Sequence, residues 1–155
     1  MAVEIERKFL VDQQKWQQIA KPKAIHFRQG YIFSDEKKTI RVRVTDTEAY
    51  ITIKGSTRGF SRSEFEYTIP AADGIQLLDN FAASELEKYR CRITYAGKLW
   101  DVDEFLGDNQ GLLMAEIELS SEDEEFELPP WVTTEVTGDD RYYNARLSTH
   151  PFKNW

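Results

Sequence analysis

Charged residues recur at every second position along this chain: Glu4, Glu6 and Lys8; Arg41 and Arg43; Glu64 and Glu66; Lys88, Arg90 and Arg92; Asp101 and Asp103; Glu116 and Glu118. In an extended segment, residues two apart project from one face at about 6.5–7 Å. A surface selected for solubility mixes signs and avoids like charges side by side, yet most of these stripes are uniform in sign. An acidic pair at this spacing can hold a divalent cation through several oxygens. A basic pair or triplet can grip consecutive phosphates through charge-assisted hydrogen bonds. With Lys54 included, the carboxylates and the cations of this face nearly cancel. For any one strand taken alone, the plain alternative is an antiparallel sheet with one wet and one buried face.

The residues between the charges predict what must position them. Alternation predicts strands over Val3–Val11, His26–Phe33, Thr39–Thr45, Ala49–Lys54, Arg62–Pro70, Glu85–Tyr95, Lys98–Phe105 and Leu112–Ser120, separated by short turns rich in Gly, Ser, Asp and Asn. Short connections make neighbours antiparallel. The opposite faces carry Val3, Ile5, Phe9, Ile40, Val42, Val44, Phe65, Tyr89, Cys91, Trp100, Val102, Ile117 and Leu119. About eight strands close into a barrel whose interior suits one small ligand. The expected fold is therefore mainly β (α+β), a closed eight-stranded antiparallel barrel forming a tunnel with a charged interior. Helices are predicted over Asp12–Ala20 with Asp12 as N-cap, Ala72–Ala82 with Ile75, Leu78 and Phe81 as its packing face, and Asp139–Leu147. These three, or a second copy of the chain in a homodimer, are expected to cover the outward apolar faces. The acidic run Glu122–Glu127 before Leu-Pro-Pro-Trp reads as a solvated turn entering a fixed bend.

At 155 residues, with 41% hydrophobic and 30% charged residues, a single domain over 1–155 is expected. A net charge of −7 repels phosphate at long range, so an anion site must come from local clustering and nucleic acid is not an expected partner. The lone Cys91 is expected to be a packed, reduced thiol. The opening residues lack the pattern of a signal peptide and no run approaches 18 apolar residues, which predicts a cytoplasmic protein without a membrane partner. His26 and His150 fit no motif and are assigned to solvent or packing.

The opening Glu4-Ile5-Glu6-Arg7-Lys8, an ExExK pattern followed by Phe9-Leu10, resembles the signature of the CYTH superfamily, the triphosphate tunnel metalloenzymes. Arg41-x-Arg43, Lys54, Glu64-x-Glu66, Lys88-x-Arg90, Asp101-x-Asp103 and Glu116-x-Glu118 then arrive in the family's order. Arg141-Tyr142-x-Asn144 resembles its C-terminal helix motif. The EIERKFLV opening and Arg28-Gln29-Gly30-Tyr31 look most like the bacterial inorganic triphosphatase branch. The resemblance implies a metal-dependent triphosphatase using Mg2+ or Mn2+ on a small-molecule triphosphate, most similar to enzymes acting on inorganic tripolyphosphate. It implies metal binding by Glu4, Glu6, Glu116 and Glu118, with Asp101 and Asp103 as weaker candidates. Lys8, Arg41, Arg43, Lys54, Lys88 and Arg90 would hold the triphosphate, with help from Arg141. Lys88 is implied as catalytic, and Tyr31 matches a proton-acceptor position. Glu64 and Glu66 are read as counter-ions that hold the basic side chains. Two alternatives stay open: a class IV-type adenylate cyclase or nucleoside or thiamine triphosphatase on the same fold, and a non-catalytic polyphosphate- or nucleotide-binding module. Retention of the acidic pairs argues against the latter, since an anion binder gains nothing from extra negative charge.

Overall fold

The computed structural model describes residues 3–155. Its strands are β1 (Val3–Val11), β2 (Ile25–Ser34), β3 (Lys38–Val44), β4 (Ala49–Gly55), β5 (Ser61–Ile69), β6 (Ser84–Tyr95), β7 (Lys98–Phe105), β8 (Leu113–Glu118) and β9 (Val132–Glu135). The order β5-β4-β3-β2-β6-β7-β8-β1 is antiparallel throughout and closes through β1 pairing with β5. The expected eight-stranded barrel is therefore present. One strand was not anticipated: β9 follows Pro129-Pro130 and is four residues long, too short to show alternation. It runs beside β1 once β1 has left β5, with Phe9 opposite Glu135 and Val11 opposite Val132.

The inward rows change character along the barrel. Glu4, Glu6 and Lys8 lead to Leu10 on β1; Leu86 precedes Lys88 on β6; Phe105 follows Asp103 on β7; Met114 precedes Glu116 on β8. Leu86, Phe105 and Met114, with Leu112, Val136, Tyr142, Leu147 and the partly buried Leu10, form an apolar stopper at that end. The interior is thus charged along most of its length and apolar at one end.

Outside the barrel, helix α1 (Gln13–Gln18), capped by the Asp12 carboxylate accepting from the Lys15 N–H, lays Trp16 against Trp131. With Phe9, Val11, Cys91, Trp100, Val102 and Ile117 they form the largest core cluster. Phe126, from the acidic run, packs edge-on against Phe9 and Trp100. The run is therefore more than a solvated turn: Glu122 accepts from the Phe60 N–H, and Glu124 accepts from Ser120 and pairs with Lys98. Cys91 is buried beside the Pro22 carbonyl, as a packed thiol should be.

Helix α2 (Ala71–Phe81) covers β2, β3 and β4, but not with the expected face. Ile75 and Phe81 stay exposed, Phe81 at 63%, while Leu78 and Gly74 are buried. The reason is steric. A Cβ at Gly74 would lie 2.6 Å from Ala49 Cβ and 3.0 Å from Val44 Cγ2, so the missing side chain lets the helix lie directly on the sheet. Gly74→Val should destabilise the protein by about 1–3 kcal/mol in urea denaturation despite valine's better helix propensity, because neither contact atom can move without its strand.

The third predicted helix is broken. Asp140–Tyr142 is a 3-10 turn, Tyr143 is extended at φ −67° and ψ 135°, and α3 spans only Asn144–Leu147. This segment does not cover an outer face. It caps the stoppered end, and the break at Tyr143 turns Tyr143 and Asn144 into the barrel. Among the described residues no helix is long and apolar enough to cross a membrane.

Candidate active site

The barrel encloses a cavity of about 700 Å³ lined by the inward rows of β1 and β3–β8, by Tyr31 of β2, and by Tyr143, Asn144 and Arg146 from the C-terminal segment. Alternation explains why these side chains converge, since each strand gives one parity to the interior. Their pairing is decided by register. Arg90 lies opposite Asp103 on β7 and Lys88 is two residues away, so both reach one carboxylate. Lys88 Nζ donates to Asp103 Oδ2 at 2.7 Å and to Asn144 Oδ1 at 2.6 Å; Arg90 grips Asp103 with two bonds of 2.7 and 2.8 Å. Burial pushes the Lys88 ammonium down to about 7, partly offset by Asp103. Burial also opposes the charge on Asp103, but Arg90 and Lys88 outweigh it and hold that carboxyl well below the usual range.

A second cluster sits where β1 meets β5. Glu4 accepts from Lys54 at 2.8 and 2.9 Å and from Arg62 at 3.1 Å, and Lys54 lies 3.3 Å from Glu64. Burial raises the Glu4 pKa, but these two cations overcome it and keep the carboxylate ionised. Arg41 bonds Thr52 and lies 3.6 Å from Glu66, so Glu64 and Glu66 stand where counter-ions would. Among the described residues the buried Nε of Arg41 finds no hydrogen-bond partner. A buried unsatisfied donor is costly, and a ligand oxygen in the cavity would relieve it.

The third cluster has too little positive charge. Lys8 lies 3.7 Å from Glu6 and 3.8 Å from Glu116, and Glu6 stands directly opposite Glu118 across β1 and β8. Burial, then the charge of Glu116, pushes Glu6 up to about 7; burial and Glu4 also raise Glu118.

The chain belongs to the CYTH domain family. Its profile matches residues 2–143. A protein of Acetivibrio thermocellus described as an inorganic triphosphatase is 44% identical over 156 residues, covering all of this chain and 99% of that protein. One of Nitrosomonas europaea with the same description is 36% identical over 153 residues, covering 94% and 96%. A crystal structure described as an inorganic triphosphatase superposes with a TM-score of 0.65 at 33% identity, covering 96% of this chain and 95% of that one.

The sequence-derived site residues of this CYTH chain mostly line one cavity: Glu4, Glu6, Lys8, Tyr31, Arg41, Arg43, Lys54, Glu64, Glu66, Lys88, Arg90, Asp101, Glu116 and Glu118. Asp103 lies beneath, fully buried and saturated by its two cations. Arg141 is the exception. It folds back onto Asp139 at 2.7 Å outside the cavity, because the break at Tyr143 points it away, and Arg146 takes a place in the lining instead. Sequence reasoning passed over Tyr143, for which the charge pattern carried no signal, and Arg62, although it continues the parity of Glu64 and Glu66; Gln29 and Asn144 stood in the runs that carried the family resemblance but were given no role.

The CYTH carboxylates suit a hard divalent cation. Glu6 is desolvated beside the charge of Glu116 and lies opposite Glu118, a shortage of positive charge that a cation would relieve. Among the described residues no three acidic, histidine or cysteine side chains form a ready metal-holding group. That fits an ion held by one or two carboxylates and completed by waters and substrate phosphates.

Proposed function

We propose that this protein hydrolyses a phosphoanhydride bond of a triphosphate, with inorganic tripolyphosphate as substrate and Mg2+ or Mn2+ as cofactor. The observation that carries this reading is the convergence of Lys8, Arg41, Arg43, Lys54, Lys88 and Arg90 on one cavity beside Glu116 and the undercompensated Glu6 and Glu118. Homology to proteins described as inorganic triphosphatases supports it. The lining supports an inorganic substrate: apart from Gly55, Leu99, Tyr31, Tyr143 and Ala145 it is charged or polar, whereas a purine needs an apolar or aromatic wall.

Phosphoanhydride hydrolysis requires a water in line with the leaving phosphate and neutralisation of charge on both sides. Lys88 and Arg90, fixed by Asp103, and Arg41 and Arg43, two strands away across β2, hold the phosphate oxygens. A divalent cation held by one or two of Glu6, Glu116 and Glu118 would supply further neutralisation and acidify a bound water. Glu6 is the carboxylate placed to orient the attacking water, because Glu4 is already held by Lys54 and Arg62.

The test is phosphate release from tripolyphosphate, ATP, thiamine triphosphate and pyrophosphate with Mg2+ and then Mn2+, with cyclic AMP measured alongside. Rapid release from tripolyphosphate, abolished by EDTA, is expected. Cyclic AMP formation would instead make the protein a cyclase, and no turnover of any compound would leave a binding module.

A further inference from the structure

Gln29 is fully buried on β2, and its amide joins three groups of the cavity. Its Oε1 accepts from Arg43 Nε at 3.0 Å. A guanidinium only donates, so this contact determines which way the amide lies. Nε2 therefore faces the other side, donating to Tyr31 Oη at 3.1 Å and to Asn144 Oδ1 at 3.2 Å. Asn144 is oriented by the same logic, because the charged Lys88 ammonium, which only donates, approaches its Oδ1 at 2.6 Å. Two cations at the ends of the chain thus impose one direction on every bond between them.

The consequence falls on Tyr31. Its hydroxyl oxygen is an acceptor in this network, which leaves its own proton uncommitted, and among the described residues no side chain takes it. Tyr31 lines the cavity and stands opposite Arg41 across β2 and β3. We propose that Gln29 is a positioning residue that sets Tyr31 as a hydrogen-bond donor to a phosphate oxygen of the substrate. This reverses the proton-acceptor role that family resemblance implies for the tyrosine. The assignment rests on the triphosphatase reading of the cavity and extends it to the direction of one hydrogen bond.

Gln29→Glu reverses that direction. The new carboxylate still accepts from Arg43, but it cannot donate, so the Tyr31 proton turns toward it and away from substrate. Tyr31→Phe should lower kcat on tripolyphosphate about 10–100-fold, the factor for losing one hydrogen bond to a charged group, and weaken binding by a smaller but measurable factor. Gln29→Glu should produce a similar kcat loss with the tyrosine intact, and the double variant should fall no more than about twofold below either single one. Near-native kcat in Tyr31→Phe or in Gln29→Glu would overturn the assignment. So would a double variant whose losses multiply, since a mere charge or folding effect at position 29 leaves the tyrosine's contribution in place. Calorimetry of tripolyphosphate binding in EDTA repeats the cycle without turnover. If the wild-type protein fails to hydrolyse tripolyphosphate, the functional reading falls. Non-additive affinity losses in that titration would still support the donor, and additive ones would overturn it.

Discussion

Lys88→Ala should lower tripolyphosphate turnover by roughly 10²–10³-fold while leaving a folded protein, as expected for removing one preorganised charge at a developing oxyanion. Lys88 is 1% exposed and held from two sides, by Asp103 at 2.7 Å and Asn144 at 2.6 Å, so its ammonium needs no reorganisation when a phosphate arrives. The fold should survive because Asp103 keeps both bonds to Arg90. Asp103→Ala is the harsher change, since it strands two buried cations at once. Lys88→Arg is a useful companion: it keeps the charge but not the compact ammonium, and the 2.6 Å approach to Asn144 leaves little room for a guanidinium. Steady-state kinetics with a urea denaturation curve separates the two effects. Turnover within threefold of wild type in a folded Lys88→Ala protein would remove Lys88 from the reacting centre.

Glu6→Gln should abolish metal-dependent turnover and at the same time stabilise the metal-free protein above pH 7. The two results have one cause. Burial and the neighbouring Glu116 hold the Glu6 carboxyl at about 7 in the folded state, above the 4.5 of an unperturbed glutamate. Between those values the unfolded chain has released its proton while the folded chain retains it. Stability is therefore highest below pH 4.5 as far as this group is concerned, falls as pH rises toward 7, and stays reduced above. Glutamine removes that loss, so in EDTA at pH 8 the variant should be more stable by roughly 1–3 kcal/mol, and the difference should vanish near pH 4.5. Paired denaturation curves at the two pH values measure it. A variant less stable than wild type at pH 8 would mean that Glu6 is compensated by Lys8 after all, and that the site has no standing need for a cation.

Much of the architecture was legible before any coordinates because period-two alternation reports the face of a strand directly. Glu4, Glu6, Lys88, Arg90, Glu116 and Glu118 were assigned to one surface by parity alone, and parity is a local property of the chain. Turn residues then made the neighbours antiparallel and the closed barrel followed. Locality also marks where reading failed. Ile75 and Phe81 share a helical face with Leu78, but the absence of a side chain at Gly74, which matters only against Ala49 and Val44, decided how the helix lies. The break at Tyr143 likewise has no periodic signature, yet it sends Arg141 out to Asp139 and brings Asn144 to Lys88.

By itself, then, the sequence determined which residues face the barrel interior and which signs of charge meet there. Only the tertiary structure decided which charge is matched with which, because pairing depends on register between strands far apart in the chain. Asp103, one of an acidic pair in the sequence, is a saturated counter-ion for Lys88 and Arg90; Glu4 is claimed by Lys54 and Arg62; Glu6 is left short of positive charge beside Glu116 and Glu118. The uniform acidic stripes divide in three dimensions into carboxylates that hold the basic side chains in place, such as Asp103 and Glu4, and carboxylates left short of positive charge, such as Glu6.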